Sequence, residues 1–216
     1  VVQTDDTVGR VLAALEKHGF EDNTLVLFSA DNGPEHYAYD RIKNFEHRSM
    51  GPLRGLKRDI WEGGHRVPFL VRWPGIVPAG TLNHGLISQI DVFATIANIV
   101  GAKIPVGSAE DSYSQLGHFQ GQNIRARESL VHNTNANNYA IRHGDWVLIA
   151  AKTGGVTKVP EWFDKANGYG PNSHPGELYN LREDLSQKRN LYADKPDKVQ
   201  ELTNILKEIR TKGQMQ

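Results

Sequence analysis

The 216 residues carry 25 basic against 25 acidic side chains and contain no cysteine. That balance gives no bulk attraction to nucleic acid or an anionic membrane, and the missing thiols exclude disulfides, cysteine zinc sites and a thiol nucleophile. With 38% hydrophobic and 23% charged residues the composition is globular, and a chain of this size buries about 70% of its unfolded surface.

The sequence opens Val-Val-Gln-Thr-Asp-Asp, without an initiator Met, a basic n-region or an apolar h-region. No signal peptide is therefore expected, and the start suggests a piece of something longer. Thr4 reads as an N-cap with Asp5 and Asp6 in the first turn. Val8, Val11, Leu12 and Leu15 then follow at helical spacing, and Gly19 is the stop. Thr24-Leu25-Val26-Leu27-Phe28-Ser29 is a continuous apolar run too short for a helix. It predicts a strand buried on both faces, as in a parallel sheet. A polar loop is expected from Ala30 to about Arg66, then a strand over Val67–Trp73 ended by Pro74-Gly75. A second helix is predicted from about Gln89 to Val100, burying Ile90, Phe93, Ile96, Ala97 and Val100.

After Pro105 the texture changes. Short strands are predicted at Ser129–His132, Tyr139–Arg142 and Trp146–Ala150, the last two joined by the turn His143-Gly144-Asp145. A long loop from Thr153 to Pro175 leads to Leu178–Leu181. A final helix starts near Pro196, buries Val199, Leu202, Ile205, Leu206 and Ile209, and ends near Gly213. The expected division is an α/β part over residues 1–126 and a small antiparallel α+β subdomain over 127–216, with a four-stranded sheet and a terminal helix. The longest strong apolar run, Leu25–Phe28, is far below the roughly 18 residues of a membrane span.

Two segments carry chemistry. Asp31-Asn32-Gly33-Pro34 directly follows the first predicted strand, where ligands bind in open α/β sheets. A carboxylate and an amide carbonyl form an all-oxygen donor set suited to Ca²⁺ or Mg²⁺. The same four residues also make good turn chemistry. The second segment, Gly51 to Pro68, packs cations among glycines, and Lys57 offers a compact charge to an oxyanion. Its plainer reading is a solvated basic loop.

Asp31-Asn32-Gly33, Pro52-Leu53-Arg54-Gly55-Leu56-Lys57 and Glu62-Gly63-Gly64-His65-Arg66-Val67-Pro68-Phe69 closely resemble the type I sulfatases, the formylglycine-dependent arylsulfatase family. Arg72-Trp73-Pro74-Gly75 and Gln89-Ile90-Asp91 resemble it further, as do Tyr139–Trp146 and Gly176–Leu181 in the C-terminal part. The resemblance covers nearly the whole chain. It implies a partial alkaline-phosphatase-like α/β core followed by the small C-terminal subdomain, a Ca²⁺ site, and hydrolysis of a sulfate ester on a sulfated carbohydrate or aryl sulfate. By position, Asp31 and Asn32 match metal ligands and Lys57 matches the lysine that holds the sulfate. The family's nucleophile, a formylglycine made from C/S-x-P-x-R, has no counterpart in this chain. The resemblance therefore implies a missing N-terminal half of the same protein, and no activity for this chain alone.

Further candidates surround that set. His36, five residues beyond Asp31, is placed to protonate a leaving oxygen, and the alternative is an ordinary loop histidine. His65 and His132 are candidate substrate-binding residues. Asn133, Asn135, Asn137 and Asn138 beside His132 form a polar cluster that a solvated loop explains equally well. Trp61, Trp162 and Tyr169 are candidates for stacking on a sugar or aryl ring, and packing is their plainer role. Arg54 and Arg66 read as structural charges around the Lys57 loop. Two rival functions remain: a phosphoesterase or phosphonate hydrolase of the same superfamily, and a non-catalytic binder of sulfated glycans. The resemblance implies a periplasmic or secreted location. The absence of any N-x-[ST] acceptor leans towards the periplasm.

Overall fold

The computed structural model describes residues 1–134 and 137–212. The chain divides into two compact units, one of residues 1–29, 68–105 and 112–126, the other of residues 30–67, 106–111 and 127 onward. Residues 30–67 thus group with the C-terminal part, whereas the division expected from the sequence places them with the first. Gly213 and Asn135, named in the sequence expectations, lie outside the described residues.

In the first unit, helix α1 (Val2–Lys17) begins before Thr4, so Thr4 lies within the helix and no side chain caps its start. Gly19 (φ +71°) ends it, where Gly19 and Phe20 donate back to Glu16 and Leu15. Strand β1 (Val26–Ser29) pairs with β2 (Phe69–Arg72). The pairing is antiparallel, with Val26 opposite Arg72 and Ser29 opposite Phe69. The parallel, doubly buried strand expected here is therefore corrected: Phe28 and Leu70 are exposed. A short apolar run reports hydrophobicity and does not encode the direction of its partner.

Helix α4 (Asp91–Ile99) also departs from expectation. Phe93 and Val100 are 56% and 67% exposed, while Asp91, Ala94 and Thr95 are buried. The buried face is polar because Asp91 works as a hub, accepting from Ser88 N (2.9 Å), Tyr113 N (3.0 Å) and Gln115 Nε2 (2.9 Å). A buried carboxylate needs such donors. Gln115 in turn meets His118 of the short helix α5 (Leu116–Phe119).

The second unit holds a four-stranded antiparallel sheet in the order β3 (Ser129–Thr134), β4 (Asn138–His143), β5 (Trp146–Ile149), β6 (Glu177–Asn180). Gly144 (φ +56°) makes the β4–β5 turn. Both faces are covered. Ile141, Leu148 and Leu178 pack under Leu202 and Leu206 of helix α7 (Pro196–Lys212). Ala140, Val147, Ile149 and Tyr179 face Ile60 and Trp61. Period-two alternation explains why β5 reads as an unbroken apolar run. Each fully buried leucine contributes about 1.5–3 kcal/mol. A further cluster joins Ala38 and Tyr39 of helix α2 (Ala38–Phe45) to Met50, Leu56 and Phe163 of helix α6 (Glu161–Asn167). Helices α2 and α6 and the short α3 (Glu62–His65) replace stretches expected as loop. No helix among the described residues is long and apolar enough to cross a membrane.

Candidate active site

All six residues singled out for metal, catalysis or substrate, Asp31, Asn32, His36, Lys57, His65 and His132, lie in the second unit, and close backbone packing assembles their frame. Gly33 N donates to Gly64 O at 2.9 Å, and Lys57 N donates to Pro34 O at 3.0 Å. The Asp31–Glu35 loop is thereby stitched along residues 57–64. Only glycine permits this approach: a Cβ on Gly33 would stand 1.8 Å from Gly63 O, and one on Gly64 would stand 2.1 Å from Asp59 O. Asp59 pins the other side, accepting from Leu56 N (2.8 Å), Val156 N (2.7 Å) and Thr157 N (2.8 Å). Burial pushes its carboxyl pKa up, and those donors oppose the shift.

Between the two segments lies a carboxylate that the sequence reading passed over. Glu35 takes a two-pronged hydrogen bond from Arg58, Nη1 to Oε2 and Nη2 to Oε1, both 3.0 Å. Lys57 Nζ lies 3.2 Å from Oε1 and His36 Nδ1 lies 3.5 Å from Oε2. The Arg58 bonds, and then Lys57, pull the Glu35 carboxyl down to about 2. His36 is a surface group, its side chain 73% exposed.

His65 and His132 meet each other. Their ring centroids are 4.0 Å apart, and both Nε2 atoms address Ile60 O, at 2.9 and 3.2 Å. Beneath them Glu62, 1% exposed, pairs with Arg66 (3.2 Å) and Arg142 (3.7 Å). His132 Nδ1 and Glu62 Oε1 are buried without a hydrogen-bond partner among the described residues. Burial lowers His65 from 6.5 to about 4 and His132 to about 3. Below pH 6.5 the unfolded chain therefore binds more protons than the folded one. Stability is expected to hold on a plateau above that pH and to fall as pH drops towards the folded values. Urea midpoints at neutral and mildly acid pH test this, and His132→Gln should flatten the slope. An unchanged slope in that variant would assign the acid sensitivity elsewhere.

The remaining candidates separate cleanly. Asp31 is exposed and Asn32 half-buried, with Asn32 Nδ2 donating to Gly33 O at 2.9 Å. Trp61 is not a sugar platform: it is buried, donates Nε1 to Glu177 at 2.6 Å, and carries the Arg54 guanidinium 3.8 Å above its ring. Arg54 also lies 4.3 Å from the Tyr169 ring and donates to Tyr179 Oη and Gln187 O. Tyr169 is thereby engaged in packing as well. Trp162 keeps an exposed face. Asn133, Asn137 and Asn138 lie at the β3–β4 hairpin end, with Asn133 and Asn137 exposed. Glu35, Asp59, Glu62 and Glu177 are the anchors that sequence reasoning missed. Their one shared signal is a carboxylate embedded among glycines or apolar residues. Among the described residues no three His, Asp or Glu side chains group to hold a metal.

A sulfatase family model matches residues 1–102, and one described as N-sulphoglucosamine sulphohydrolase, C-terminal, matches residues 56–215. The chain is 33% identical over 218 residues to an N-acetylgalactosamine-6-O-sulfatase of Bacteroides thetaiotaomicron, covering 98% of this chain and 41% of that protein. It is 39% identical over 142 residues to the steryl-sulfatase of Rattus norvegicus, covering 63% of this chain and 24% of that protein. A solved structure described under metabolism of multiple glycosaminoglycans by Bacteroides thetaiotaomicron superposes with a TM-score of 0.81 at 32% identity. The match covers 97% of this chain and 43% of that one. The chain therefore spans less than half the length of these relatives.

Proposed function

Because the chain belongs to the sulfatase family, we propose that it supplies the C-terminal part of a sulfuric ester hydrolase acting on a sulfated carbohydrate or aryl sulfate. Its mixed α/β fold is the alkaline-phosphatase-like fold of its structural neighbours. The observation that carries the reading is the pair of bonds from Gly33 to Gly64 and from Lys57 to Pro34. They fix Asp31 and Asn32 on the same frame as Lys57.

In this reading Lys57 neutralises charge on the sulfate oxygens, as cation clamps do on transferring phosphoryl groups. Asp31 and Asn32 fit a Ca²⁺ site by donor chemistry. The carboxylate is a hard oxygen donor, and with Nδ2 committed to Gly33 O, Asn32 offers Oδ1. Ca²⁺ takes about 6–8 oxygens, so the other ligands come from an N-terminal half, as does the formylglycine nucleophile. Bound Ca²⁺ supplies Lewis-acid polarisation of the sulfate. His36, exposed and beside Glu35, serves as proton donor to the leaving oxygen. His65 and His132, held neutral with both Nε2 atoms on Ile60 O, shape the wall of the substrate site. The sulfated amino sugar in the name of the Bacteroides relative favours a carbohydrate substrate. In this reading the protein works in the periplasm or outside the cell, where sulfated carbohydrates of that kind are met.

The test is sulfate release from N-acetylgalactosamine 6-sulfate and from an aryl sulfate by the full-length protein, made with a formylglycine-generating system. Release that stops on chelation and returns with Ca²⁺ is expected. Phosphate release from phosphomonoesters without sulfate release would instead favour the phosphoesterase. Ligand binding without turnover would favour the non-catalytic binder.

A further inference from the structure

We propose that Glu35 and Arg58 are positioning residues that hold Lys57 ready for the sulfate, with Glu35 Oε1 as a stand-in for a sulfate oxygen until substrate arrives. The proposal rests on the reading of Lys57 as the sulfate-holding cation. It begins from an unusual backbone: Arg58 is a non-glycine residue at φ +81°. Such conformations cost energy and persist only where the surroundings impose them. Here the surroundings do so. Lys57 N is tied to Pro34 O on one side of Arg58, Asp59 is pinned by three backbone donors on the other, and Thr134 Oγ1 donates to Arg58 O.

The left-handed turn has a geometric product. Neighbouring side chains on an extended chain point apart, yet Lys57 and Arg58 both reach the carboxylate of Glu35. Arg58 takes both oxygens with its planar fork, which fixes the carboxylate plane. Lys57, a single point charge, makes one ion pair among the described residues, with Oε1 at 3.2 Å. The two cations are therefore held unequally. An arriving sulfate can take Lys57 by replacing one oxygen contact with another, while Arg58 keeps Glu35 in place. Glu35 also offsets the repulsion between two adjacent cations, which an empty anion site would otherwise leave unbalanced.

Glu35→Gln and Arg58→Gly in the full-length protein test this beside Lys57→Ala. Glycine suits the positive φ, so Arg58→Gly relieves strain while deleting the fork. Its melting temperature should stay within about 2 °C of wild type. Each of the two variants should lower kcat/KM about tenfold and weaken inhibition by inorganic sulfate similarly. Arg58→Lys, which keeps charge without the fork, should not rescue, and the double variant should be no worse than the poorer single. Wild-type kcat/KM and sulfate inhibition in Glu35→Gln and Arg58→Gly, with Lys57→Ala impaired, would overturn the positioning role and leave the sulfatase reading intact. Unimpaired Lys57→Ala would overturn both.

Discussion

Lys57→Ala in the full-length protein is expected to lower kcat/KM for a sulfated substrate by about 10²–10³-fold, roughly 3–4 kcal/mol of transition-state stabilisation. The loss should fall mainly in kcat. Sulfate carries its charge in the ground state, but transfer shifts charge onto the oxygens and the leaving group, and a fixed cation gains most there. The Lys57 loop should survive the change, because its backbone is held by Pro34 O, Thr157 Oγ1 and the Asp59 hub rather than by the ammonium. Circular dichroism and melting should therefore match wild type. A loss confined to KM would mean that Lys57 serves ordinary substrate binding alone.

Gly33→Ala is expected to destabilise the second unit by about 3 kcal/mol, combining overpacking with a lost backbone hydrogen bond. The new methyl would lie 1.8 Å from Gly63 O, and Gly63 has little room to retreat, because its N–H is bonded to Arg54 O at 2.7 Å and a Cβ on it would stand 2.2 Å from Gly55 O. Every atom in this stack is main chain, so no side chain can swing aside. Gly144→Ala makes the contrast: that turn glycine at φ +56° faces open space and should cost only about 1 kcal/mol. Urea midpoints of both variants against wild type check the ordering. Equal midpoints for the two would mean the Gly33 stack yields.

Strands β4 and β5, the Gly144 turn and helix α7 were legible because each has a local signature: a short apolar run, a glycine-bearing hairpin turn, or apolar residues at i, i+3 and i+7. At Asp31–Asn32 and Lys57 residue type alone proposes an oxygen donor set and an oxyanion cation, and the structure adds only that backbone bonds join the two segments. Three of the failures share one cause. The direction of the β1–β2 pairing, the exposed apolar side of α4 and the pairing of Glu35 with Lys57 all depend on what lies across space. Glu35 follows a proline and reads as turn filler, and nothing in its neighbourhood announces a partner 22 residues on. Helix α2 is a different miss. Ala38, Tyr39 and Ile42 have helical spacing, but the helix is only 8 residues long and has no side-chain cap.

The Arg54 sandwich ties residues that are 125 and 133 positions apart, from the Lys57 loop to Tyr179 and Gln187. Trp61 and Glu177 span 116 more in parallel. Contacts of such sequence separation form late, since the loop-closure entropy must be met before they stabilise anything. The Lys57 loop therefore matures only after strand β6 and the residues up to Gln187 have been synthesised and docked. During synthesis, the proposed Lys57 site would stay unformed until residues 177–187 had emerged, and a stop codon just before residue 177 would undo it while leaving Asp31, Asn32, His36 and Lys57 in the chain.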